Sequence, residues 1–108
     1  MAKKKLTELA RVIRSKNAGP FELTFDIIFN DAESYERVKQ SGVFSPGLFA
    51  ELYRVPVESV LNFCFFDPAN AIKATIARPI SSGTTGDSDV YGAQQHAPLL
   101  EIEVPWGD

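Results

Sequence analysis

Apolar residues recur at Leu6, Leu9, Ala10 and Ile13, the spacing of one helix face, and predict an amphipathic helix over residues 6–16. Arg14 and Lys16 fall in its last turn, where they favour the helix dipole, and Asn17 with Gly19-Pro20 ends it. In "FELTFDIIF" the period changes to two. Phe21, Leu23, Phe25, Ile27 and Phe29 alternate with Glu22, Thr24, Asp26 and Ile28, which predicts a strand with one core face. Asn30 or Asp31 caps a helix over 32–41 that stops at Ser41-Gly42. Ser45 caps another, with Pro46 at its first position and Leu48, Phe49, Leu52 and Tyr53 as its stripe. "VLNFCFF" is apolar on nearly both faces, the pattern of a central strand. "DPAN" at 67–70 has the chemistry of a type I turn, and "AIKATIA" alternates again. After Arg78-Pro79, residues 80–98 have no hydrophobic period, and "LLEIEV" predicts a last strand with Glu101 and Glu103 on one face.

The order is α-β-α-α-β-β-loop-β. Strands one and two are joined through helices, so they are expected to run parallel with a right-handed crossover. Strands two and three form an antiparallel hairpin. The predicted fold class is α+β, a single domain with a mixed four-stranded sheet and helices on one face. Phe21, Phe25, Phe63, Phe65, Ile72, Ile76 and Ile102 are assigned to the helix side. The opposite face then carries Glu22, Thr24, Asp26, Asn62, Cys64, Lys73, Thr75 and Glu101, with Ile28, Phe66 and Leu99 among them. Such a face can stand in water or meet a partner.

Composition narrows the classes. With 108 residues, 44% hydrophobic and 23% charged, the chain has the make-up of one globular domain. No apolar run reaches the roughly 20 residues of a membrane span. "MAKKKLTELARVIRSK" has no continuous apolar segment behind its basic tip, so no secretory signal is expected. A single cysteine fits a reducing compartment, and the cytoplasm is the expected location. Residues 1–78 hold all 11 Lys and Arg against 9 acids, whereas residues 79–108 hold 5 acids and no cation. The one basic run, Lys3-Lys4-Lys5, lies at a terminus expected to fray. Nucleic acid is therefore not an expected partner.

Candidate chemistry gathers in residues 80–98. Long structureless segments inside small domains are usually functional or disordered. Gly83, Gly86 and Gly92 let this one turn or approach a ligand, and Tyr91 is its one large anchor. His96, the only histidine, can act as a general acid or base oriented by Asp87 or Asp89. It can equally stabilise the loop through a backbone carbonyl, and both readings stay open. No nucleophile elbow is present. One histidine and one cysteine do not make a zinc set, and Asp87-Ser88-Asp89 lacks the later ligands of a calcium loop. No metal and no cofactor are expected, and Cys64 reads as a core filler. "RSKNAGP" offers Arg14, Lys16 and Asn17 either as an anion site or as ordinary helix-end compensation.

Three stretches, "RSKNAGPFELTFDIIF", "YERVKQSGVFSPGLFAELYRVPVESVLNFCFFDPANAIKATIARP" and "GDSDVYGAQQHAPLLEIEVP", together resemble the small domain of unknown function associated with AtuA-type acyclic terpene utilisation proteins. The resemblance spans nearly the whole chain, and Trp106 lies outside its blocks. Members occur beside a gene for a larger AtuA-like protein or as its C-terminal domain, which implies a subunit relationship. It supplies neither a reaction nor a catalytic residue list. The expectation it supports is an accessory subunit that completes or covers the larger protein's active site. The substrate would be a small or branched carboxylic acid or its acyl-CoA. Across that interface His96 and Asp89 would be catalytic and Gln94, Gln95 and Tyr91 would contact ligand, while Arg14, Lys16 and Asn17 would bind a carboxylate or phosphate. The alternatives are a stand-alone homo-oligomeric lyase- or hydratase-like enzyme using His96, and a non-catalytic structural adaptor.

Overall fold

The computed structural model describes residues 2–19, 21–77 and 97–106. In chain order its elements are β1 (Lys3–Lys5), α1 (Leu6–Leu9), β2 (Ala10–Gly19), β3 (Glu22–Phe29), α2 (Ala32–Ser41), α3 (Pro46–Tyr53), β4 (Val60–Phe66), β5 (Ala71–Ala77) and β6 (Glu103–Pro105). Single 3₁₀ turns lie at Val57–Ser59, Asp67–Ala69 and Ala97–Glu101. The fold is α+β and is built on a four-stranded sheet, as the sequence predicts.

Local chemistry explains the helices. The Asp31 carboxylate accepts the Ser34 amide at 2.7 Å, and Gly42 ends α2 with φ 75°, where a side chain would be strained. The Ser45 hydroxyl accepts the Leu48 amide at 3.2 Å, and Pro46 opens α3. Both helices lie against one sheet face, and the seam is largely aromatic. Phe25 packs on Tyr53 and Phe49 at 4.8 and 5.5 Å between ring centres, and Phe29 lies 6.0 Å from Tyr35. Leu6, Leu99 and Val104 close the same core and are fully buried.

The sheet order is β2-β3-β5-β4 and every ladder is antiparallel, so the sheet is not mixed. β3 and β4 do run parallel to one another, but β5 lies between them. Where a helix over 6–16 is expected, only Leu6–Leu9 is helical, and Ala10–Gly19 pairs with β3. Leu6 and Leu9 are buried by that single turn, while Ile13 and Ser15 face the core at strand spacing. A longer helix would leave the outer amides of β3 without these backbone partners, and β-branched Val12-Ile13 suits a strand. "VLNFCFF" is not central: β4 is an edge strand.

The C-terminal segment departs further. Residues 99–104 do not join the main sheet. Ala97–Glu101 is a 3₁₀ turn, and β6 pairs with β1 as a separate two-stranded sheet. Lys3–Lys5 is thereby a paired strand, not a frayed end. Leu99 is fully buried and Glu101 lies in the turn, so neither belongs to the open face. Phe21, expected on the helix side, is 54% exposed. Trp106 is held between the Arg37 guanidinium at 4.2 Å and the Lys4 ammonium at 5.1 Å from the ring centre.

Candidate functional site

Antiparallel register lines up the open face in three rungs across all four strands. The first is Lys16-Thr24-Thr75-Asn62, the second Arg14-Asp26-Lys73-Cys64, and the third Val12-Ile28-Ala71-Phe66. Alternation along each strand creates the rungs, because every second residue points away from the helices. The face therefore runs from polar through ionic to apolar over about 13 Å along the strands.

Its centre is Asp26. The Arg14 Nε donates to one carboxylate oxygen at 3.0 Å and the Lys73 Nζ to the other at 3.1 Å. Burial pushes the Asp26 carboxyl up. The hydrogen bonds from Arg14 and Lys73, with their charges, outweigh it and hold the group below its ordinary value. A cleft of about 240 Å³ opens beside this pair, lined by Lys16, Thr24, Phe25, Asp26, Asn62, Lys73, Ala74 and Thr75. The Thr24 hydroxyl donates to the Lys16 carbonyl at 3.3 Å. Lys16 and Lys73 thus flank hydroxyl and amide groups, a donor-rich set suited to an anionic head group.

A second polar cluster stands where α2 meets the β4–β5 turn. The Tyr35 hydroxyl and the Lys39 ammonium, the latter at 3.1 Å, donate to one oxygen of Asp67. Those bonds hold the Asp67 carboxyl down, while burial and the bond to Asp67 push the Tyr35 hydroxyl well above its ordinary value. The Tyr35–Asp67 hydrogen bond thus ties α2 to the β4–β5 turn.

Of the residues expected to bind ligand, Arg14 and Lys16 share the open face and lie two apart on β2. Asn17 pairs with Leu23 and lies on the helix-covered face, so the three do not converge. At a helix end the three would lie together, whereas a strand alternates them. His96, Asp89, Gln94, Gln95 and Tyr91 lie outside the described residues. The site gains Thr24, Asp26, Asn62, Lys73 and Thr75, all carried by the period-two pattern but not marked by any motif. Among the described residues no group of three or more His, Cys, Asp and Glu is arranged to hold a metal ion.

These features define a small α+β domain with one covered and one polar, ion-paired sheet face. The chain belongs to the family described as Domain of unknown function (DUF4387), whose model matches residues 6–103. No curated protein and no solved structure matches it. Among the described residues no helix is long and apolar enough to cross a membrane.

Proposed function

We infer that this chain is an accessory small subunit whose open sheet face works at the active site of a larger AtuA-like protein. The ligand is a small or branched carboxylic acid or its acyl-CoA thioester. The observation that carries this reading is the cleft itself. Lys16 and Lys73 line it with one carboxylate, Asp26, whose charge Arg14 also neutralises from beside the cleft, in a chain whose formal net charge is −3. A carboxylate or a CoA phosphate offsets that local excess, with Thr24, Thr75 and Asn62 supplying directed donors. At about 240 Å³ the cleft is smaller than the roughly 300–1,000 Å³ of a site that encloses a whole ligand. It therefore takes a head group and leaves the reacting end for a second protein to cover. The resemblance to the AtuA-associated domain supplies that second protein, and His96 with Asp89 is the acid–base pair proposed to reach across.

Co-expression of the tagged chain with the larger protein, followed by native mass spectrometry, tests the subunit half. A stoichiometric complex is expected, and a chain that never co-purifies ends this reading. Titration of the complex with a branched short-chain carboxylate tests the ligand half. Lys16→Ala with Lys73→Ala should raise the dissociation constant about tenfold or more; an unchanged constant removes the cleft from the mechanism. Turnover by the isolated chain that His96→Ala abolishes would instead establish the stand-alone enzyme.

A further inference from the structure

β4 is the most apolar strand of the sheet, with Asn62 its only polar side chain, yet none of its seven residues is fully buried. β3 and β5 are flanked on both sides, and buried and more exposed positions alternate throughout β3 and from Ile72 onward in β5. Its sequence is that of an interior strand, and its position is an edge. Among the described residues nothing pairs with its outer side. Val57, Leu61 and Phe66 are 50%, 53% and 44% exposed, so among the described residues three of the four exposed large apolar side chains gather on or just before this strand.

The opposite edge differs. β2 carries Arg11, Arg14 and Lys16 and has two register shifts, between Ala10 and Val12 and between Asn17 and Gly19. Charges and bulges are the means by which proteins protect a free edge from pairing. β4 has no charge and no proline. Its one shift frees Leu61 and leaves Asn62–Phe66 in regular register with β5.

We propose that β4 pairs antiparallel with β4 of a second copy of this chain, joining two four-stranded sheets into one of eight. The strand suits itself as a partner. Every residue in it is uncharged, so no antiparallel register sets like charges opposite one another. At the strand ends, Glu58 of one copy approaches the Asp67 region of the other, where Lys39 already neutralises the carboxylate. In the dimer β4 gains a second flanking strand, the environment its sequence encodes, and the exposed backbone donors and acceptors of both edges are satisfied. The open-face clefts stay uncovered in both copies, so the dimer does not depend on the proposed ligand.

Size-exclusion chromatography with light scattering on the purified full chain, across micromolar concentrations, is expected to show a dimer. Leu61→Lys with Phe66→Lys should raise its dissociation constant about tenfold or more. Both side chains are exposed, so the circular dichroism spectrum of the folded chain should be preserved, while Tm loses the concentration dependence that a dimer gives it. Cys64 is the only cysteine, so a short bis-maleimide should link two wild-type chains through it and lose that product in the double variant. A chain that stays monomeric overturns the proposal, as does a dimer that is indifferent to the two lysines and not linked through Cys64.

Discussion

The two faces of the sheet are made by the same four strands and differ at every alternate residue. On the covered face the rung Ser15-Phe25-Ala74-Phe63 places a phenylalanine under the rings of Phe49 and Tyr53. One residue along, the rung Arg14-Asp26-Lys73-Cys64 places an ion-paired carboxylate in partial contact with water. The first is held by apolar area and ring packing. The second is held by charges of which Arg14 and Lys73 are largely exposed. Stability should therefore reside on one face and specificity on the other.

The hardest test of this division is Phe25→Ala, which opens a cavity beneath α3 and should cost about 3–5 kcal/mol in chemical denaturation. A loss below about 1 kcal/mol would place the core elsewhere. Alkali probes the same face. Burial raises both Tyr35 and Tyr53 above the ordinary value of 10.0. Their contribution is complete below that pH and should be lost as pH rises past it, with tyrosinate absorbance appearing together with unfolding. Early ionisation of both rings in a folded chain would contradict their burial.

On the open face the expected effects are smaller. Asp26→Asn leaves Arg14 and Lys73 without their shared anion and should cost about 1 kcal/mol or less, an effect that added salt shrinks. Because its carboxyl is held below 3.8, the stability it contributes is present above that pH. It is lost as pH falls through the lowered folded-state value, and a wild-type minus Asp26→Asn difference that persists in strong acid would argue against the ion pair. Smallest of all, Lys16→Ala should change unfolding free energy by no more than about 0.5 kcal/mol while weakening carboxylate binding. A large loss of stability there would make Lys16 structural.

Particular residues decide how much could be read beforehand. Asp31, Gly42, Ser45 and Pro46 marked α2 and α3 because capping is chemistry within one turn of chain. The alternation of β3 and β5 marked the face on which Asp26 and Lys73 stand. β2 was hidden because Leu6, Leu9, Ala10 and Ile13 also fit a helix, and because buried Ser15 interrupts the apolar alternation of the strand. The candidate site suffered accordingly. "RSKNAGP" groups Arg14, Lys16 and Asn17, whereas the strand register joins Arg14 to Asp26 and Lys73 and turns Asn17 to the other face.

By itself, the sequence determined where α2 begins and ends and where α3 begins, the α+β class, and which residues of β3, β4 and β5 lie on which side. Those properties follow from local backbone preference and from side-chain period, and both act within a few residues. Only the tertiary structure decided that residues 10–19 form a strand, that β5 separates β3 from β4, and that the C-terminal strand pairs with Lys3–Lys5 outside the main sheet. Each depends on which distant backbone satisfies a given row of amides and carbonyls, and apolar patterning measures how much surface a strand wants covered without naming what covers it.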